Sequence, residues 1–286
     1  MTAEPHRLAE AYAHCDDMLR ESDRDRWIAC LFAPADKRKR LHALYCFSLE
    51  IACVREIVSE PRLGEIRLQW WRDVLSGEAR GDVGGHPVAL ALLDTVATFR
   101  LPIMALVALI DARTFDLYND PMPSLNDLEG YCGETSSALM RLASLVLAGG
   151  EEPGGADAVG HAGVAYAMTG LLRAMPWHAA RGQVFIPADL LQKHGGTSGD
   201  LTVGRTNPQI AAALAELRAT IRRHLVAALA AAPQLAAAAR PALLPLGLCA
   251  PYLNVMEKSG FDPFRDPVEL PQWRRQWALW RLARKL

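Results

Sequence analysis

Neither a disulfide framework nor a zinc module is written into this chain. Its six cysteines, at 15, 30, 46, 53, 132 and 249, form no CxxC pair and no Cys/His array of the spacing zinc needs. A reducing compartment is expected. Net charge is nearly absent, because 31 Lys and Arg stand against 32 Asp and Glu, leaving −1. Nothing in that balance draws the chain to nucleic acid. No apolar run is long enough to span a bilayer, and the most apolar stretch, 241–256, is interrupted by Pro245 and Pro251. The opening MTAEPHRLAEAY has no apolar run behind a basic start, and its acidic residues do not fit a transit peptide. The expectation is a cytoplasmic protein, soluble or peripheral to the inner membrane. Strand signals are also scarce, since the one β-like run, 183–186, is too short to seed a sheet.

Apolar residues instead recur at helical spacing almost everywhere in a chain that is 51% hydrophobic. A chain of 286 residues can bury about three quarters of its unfolded surface as one unit. Breaks fall at Ala33-Pro34, 81–85, 121–123, 149–155, 195–204 and Pro233. They leave about ten helices, and no composition shift divides the chain, so one all-α domain over 1–286 is predicted. Ser124 followed by Asp127 resembles a capping box, which predicts a long helix from there to about Leu147. The alanine-rich 209–239 carries Arg218, Arg222 and Arg223 on one side and reads as packed helix, not linker.

Four stretches, LHALYCF at 41–47, RLQWWRDVL at 67–75, YCGETSSALM at 131–140 and GLLRAMPWHAARGQVFIPADLL at 170–191, resemble the squalene and phytoene synthase family in the right order. The resemblance implies an isoprenoid-synthase-type helical bundle around a central apolar cavity, with magnesium and diphosphate held at its mouth. Ionising an allylic diphosphate requires magnesium bridged to the protein through carboxylates. Aspartates four apart on a helix present one face, which suits two facing DxxxD-type motifs.

Both motifs are degenerate here. After its ALYxF the family has an arginine and a DDxxD run; here Leu49 stands at the arginine and Ala52, Cys53 and Glu56 at the acidic positions. Tyr45, Leu49, Ala52 and Glu56 are expected to share one helical face. The second pattern, LRDVxxDxxxGRxYLP, is matched by Leu172 and Arg173, but Ala174 and His178 replace its aspartates. Pro176 between them is expected to kink or end the helix. Tyr45, Leu49, Ala52 and Ala174 are the cavity candidates; no catalytic residue and no metal ligand is assigned.

A non-catalytic branch of the family, represented by a mitochondrial assembly factor for respiratory complex I, is similar in 49–60, in Arg173 to His178, in Val184 to Asp189 and in Phe261 to Phe264. That resemblance implies an assembly role with complex I subunits or assembly proteins as partners, without a cofactor. A carrier that holds a prenyl or acyl lipid in the cavity is a further reading. The alternative is a magnesium-dependent prenyltransferase that condenses farnesyl or geranylgeranyl diphosphate head to head.

Local readings complete the picture. Glu56 reads as a solvated helix charge near Arg55 and Arg62, and His178 as a solvated or hydrogen-bonded residue beside the proline. Asp16-Asp17, near Arg20, reads as helix surface. Of Trp70 and Trp71, about 100° apart on a helix, one should be core and the other at an edge. The SSALM run at 136–140 supplies small residues for close helix packing, not a nucleophile. At the C-terminus Trp273, Trp277 and Trp280 fall on one helical face beside Arg274, Arg281 and Lys285. Two roles fit: docking of the tryptophans on the bundle, or contact with an anionic membrane surface.

Overall fold

The computed structural model describes residues 3–286 and contains no strand among them. The chain begins with α1 (Ala3–Ser22), α2 (Arg24–Cys30), α3 (Ala35–Ala52), α4 (Val54–Ile57) and α5 (Pro61–Ser76). Next come α6 (Pro87–Phe99), α7 (Ile103–Arg113), α8 (Leu125–Cys132), α9 (Ala138–Leu147) and α10 (Ala156–Ala180). The rest is α11 (Ala188–Lys193), α12 (Ser198–Thr202), α13 (Pro208–Ala231), α14 (Cys249–Met256) and α15 (Gln272–Ala283). Among the described residues fifteen α-helices thus replace the about ten read from periodicity. The surplus is short pieces such as α2, α4, α11 and α12, with too few turns to show a period.

The predicted breaks follow their chemistry. Gly77 ends α5 in the left-handed region at φ 78°, where a side chain would be strained. Prolines at 241 and 245 lack the amides an α-helix needs, and Ala237–Leu248 winds as a 3₁₀ segment instead. The long helix expected from Ser124 exists with an inserted turn. Ser124 Oγ accepts from the Asp127 amide, α8 and α9 are nearly collinear in sequence, and Gly133–Ser137 between them is a π-turn. Alanine-rich α13 lies along α10, and Arg222 grips Glu257 through Nε and Nη2.

One correction concerns the end of α10, which does not fall at Pro176: the helix runs through it to Ala180. The proline forfeits only the bond to the Leu172 carbonyl. Leu172, Met175 and Ala179 keep that stretch seated in the core, one turn from the helix end.

Helices α1, α3 and α6 pack together on one side, and α10 packs against α13, α9 and α14 on the other, around one continuous core. Small residues let α10 approach the π-turn. A Cβ on Gly163 would lie 2.3 Å from Ser137 Cα, and Ser137 Oγ donates to the Gly160 carbonyl at 2.7 Å. This is the packing role read for the SSALM run.

That contact separates two glycines on one helix. Gly163→Ala is expected to destabilise by about 1–3 kcal/mol, because backbone must move. Gly160→Ala, whose Cβ meets nothing within 4 Å, should be neutral or stabilise by up to about 1 kcal/mol. Thermal melts of the two variants check the order.

Candidate functional site

Between α2, α3, the π-turn, α10, α14 and α15 lies a cavity of about 720 Å³. Both degenerate motifs reach it. Leu49 and Ala52 come from α3, and Arg173, Ala174 and His178 from α10. Tyr45 does not line it: the ring is buried, with the Arg26 guanidinium 5.3 Å from its centroid. Cys53 and Leu49 also line a neighbouring cavity of about 490 Å³ with Glu50, Trp70, Trp71 and His86. There Trp71 is core and Trp70 half-buried, as their spacing predicts. Burial pushes the Glu50 carboxyl up to about 7.

Helix α3 stops at Ala52, so Glu56 belongs to α4 and leaves the face shared by Leu49 and Ala52. Its carboxylate meets Arg181 Nη1 at 3.8 Å, not Arg55 or Arg62. Asp16 and Asp17 are occupied elsewhere: Asp16 accepts from Trp27 Nε1 at 2.9 Å and Asp17 from Arg20 Nη2 at 2.5 Å.

In and behind the cavity wall lie charged groups that, Arg173 apart, no motif announced. Arg113 Nη1 donates to Asp116 Oδ2 at 3.0 Å and to the Tyr131 hydroxyl at 2.6 Å, while that hydroxyl donates to Asp116 Oδ1 at 2.7 Å. Burial works against the Arg113 charge, but Tyr131 and Asp116 outweigh it and raise the pKa. Burial also raises the Tyr131 hydroxyl well above its ordinary range, so it stays a neutral donor. Arg26 donates to Asp23 at 3.1 Å and lies between the rings of Tyr45 and Tyr166. Asp25, only 6% exposed, accepts from the Tyr252 hydroxyl at 2.6 Å and lies 3.4 Å from Arg173 Nη1 and 3.2 Å from Arg275 Nη1. The Arg173 guanidinium also covers the Tyr252 ring at 3.7 Å. Tyr131 sits in a family-like motif, but nothing in the sequence pairs Asp25 with arginines 148 and 250 positions away; only tertiary structure does.

These residues do not fit magnesium. A hard cation takes about six oxygen ligands. Ala52, Ala174 and His178 line the cavity, and Cys53 its neighbour, where the family pattern asks for carboxylates, and the nearby carboxylates Asp23, Asp25 and Asp116 are each committed to arginine. Among the described residues no group of three or more His, Cys, Asp and Glu is arranged to hold a metal.

His178 is half-buried, with Nδ1 buried and without a partner and the ring 4.8 Å from Phe185. Burial, then the charges of Arg181 and Arg113, lower its pKa to about 4. The folded imidazole stays neutral where the unfolded one, near 6.5, takes a proton. His178 therefore removes stability as pH falls from about 6.5 to about 4, and nothing more below that. His178→Phe should flatten this part of the stability profile relative to wild type, measured by denaturant unfolding between those pH values. A second substitution probes the larger network. Asp25→Ala strands two guanidinium groups and is expected to cost on the order of 3 kcal/mol, with faster amide exchange in α15.

Comparison with known proteins agrees with the geometry. The Squalene/phytoene synthase family model matches residues 19–281. The chain is 28% identical over 262 residues to NADH dehydrogenase (ubiquinone) complex I, assembly factor 6, of Rattus norvegicus, covering 92% of this chain and 78% of that one. It is 26% identical to 15-cis-phytoene synthase of Synechococcus elongatus, covering 95% and 92%. A solved dehydrosqualene synthase superposes with a TM-score of 0.80 at 16% identity, covering 98% and 97%, which establishes the all-α isoprenoid-synthase fold. The chain belongs to the squalene/phytoene synthase family.

Proposed function

We propose that this chain is a non-catalytic member of its family that assists assembly of respiratory complex I. The observation that carries the reading is the chemistry of the cavity mouth. Where prenyl transfer needs carboxylates for magnesium there are Ala52, Cys53, Ala174 and His178, and Glu56 is turned toward Arg181. Overall identity does not decide between assembly factor and synthase, since both kinds of relative lie within a few percent. The motif positions favour the assembly factor, because a metal-dependent ionisation fails without its ligands whatever the remaining similarity. Similarity to the complex I assembly factor spans nine tenths of the chain and supplies the partner class, complex I subunits or other assembly proteins. Work on a membrane-embedded complex also calls for a peripheral position at the membrane.

A second reading, that the cavity carries a prenyl or acyl lipid with an anionic head, is favoured by one observation. Ser136 Oγ, Arg113 Nε, Arg173 Nε and His178 Nδ1 are buried in or beside its wall with no partner in the protein. Buried polar atoms are normally satisfied, and an anionic head could accept from several of these.

Purified protein with magnesium and farnesyl or geranylgeranyl diphosphate is expected to release no diphosphate above a no-protein control. Squalene, phytoene or a cyclopropyl intermediate in the extract would reverse the reading. In the host, loss of the gene should lower NADH:quinone oxidoreductase activity and assembled complex I, with succinate oxidation unchanged. Normal complex I in such a strain would remove the assembly role.

A further inference from the structure

Helix α15 docks on the bundle, but not by its tryptophans. Leu279 and Leu282 are buried, Ala278 and Ala283 pack beside them, and Arg275 reaches inward to Asp25. Trp273, Trp277 and Trp280 are 64%, 54% and 41% exposed, and the last two rings stack at 4.9 Å. Three exposed indoles on one short helix run against the tendency of large apolar side chains to be covered.

Their surroundings are specific. A groove of about 640 Å³ runs between α15, the end of α13 and α14, with Leu225, Leu229, Ala250 and Val255 in its wall and Trp273 and Trp277 along it. Val226 and Leu229 of α13 add exposed apolar surface. Four cations, Lys258, Arg274, Arg281 and Lys285, line the same groove, and no acidic residue does. Arg284 lies over the Trp280 ring. Arg274, Arg281 and Lys285 are in no ion pair among the described residues, unlike Arg275 on the inward face.

The geometry points to this face as a docking site for an anionic phospholipid surface, with the indoles at headgroup depth and the groove open to an acyl chain. Charge complementarity selects the occupant: a groove with four cations and no acid fits a polyanionic sheet of headgroups. Tryptophan beside Arg and Lys on one amphipathic helix suits the water-to-lipid boundary. The contact is peripheral, since no described helix is long and apolar enough to cross a membrane. This inference names the surface for the peripheral position proposed above, and its variants change none of the residues that line the 720 Å³ cavity.

Sedimentation of the full chain with phosphatidylcholine vesicles, with and without phosphatidylglycerol, tests it. Binding is expected only with phosphatidylglycerol, weakened by salt, and accompanied by a blue shift of tryptophan emission. Replacing Arg274, Arg281 and Lys285 together by Gln should weaken partitioning roughly a hundredfold, at about fivefold per cation. Trp273→Ala with Trp277→Ala should diminish the shift to the part Trp280 contributes while the thermal melt stays unchanged, because both rings are exposed. The inference fails if wild type ignores anionic vesicles, binds neutral ones equally, or binds unchanged after the Gln replacements. It fails equally if light scattering finds a dimer that hides the indoles and excludes vesicles. Vesicle binding with normal complex I assembly in the deletion strain would sink the assembly role alone; loss of complex I without vesicle binding would sink this inference alone.

Discussion

Asp25 is the point on which the arrangement of the C-terminal half depends. One carboxylate on α2 meets Arg173 of α10, the Tyr252 hydroxyl of α14 and Arg275 of α15. A buried carboxylate is tolerable only with a counter-charge and hydrogen bonds, so each helix is held where it can supply one to Asp25. The register of α15 follows. With Arg275 turned inward beside Leu279 and Leu282, residues 273, 277 and 280 have to face outward.

The same kind of pairing defines the cavity. A second cluster joins Arg113, Asp116 and Tyr131, and a third joins Arg26 to Asp23 between two tyrosine rings. Asp23, Asp25 and Asp116 are thereby neutralised by protein. A magnesium site needs the opposite, carboxylates left facing one another with their charge uncompensated until the ion arrives. Loss of the mouth ligands and internal pairing of the deeper ones work in one direction. The bundle encloses a cavity of about 720 Å³ whose wall pairs its buried carboxylates with arginine instead of leaving them open to a metal.

Two features lie on opposite ends of one scale of backbone tolerance. Pro176 is accommodated within α10 because a single missing amide is a small loss against a buried apolar edge. Gly163 admits no side chain, because Ser137 backbone occupies the place of its Cβ. The π-turn that brings Ser137 there also aims Thr135 and Ser136 at the cavity, so the close packing and the cavity wall come from one local irregularity.

Much of the helical content was legible from periodicity, and the breaks from Gly and Pro, because both signals are local. The family was legible from four ordered stretches, and the degeneracy of the motifs from the residues standing at Ala52, Cys53, Ala174 and His178. Short helices such as α4 escaped, and with them the turn that takes Glu56 off its expected face, because four residues carry no period. Tyr45 was misplaced for a related reason: helical spacing says which residues share a face, not which guanidinium will cover it. The sequence by itself determined the helices, the family and the missing carboxylates, all of which depend on residue identity and near neighbours. Only the tertiary structure decided that Asp25 serves two distant arginines and that the tryptophans of α15 face out. Those choices rest on desolvation and charge pairing between segments far apart in the chain.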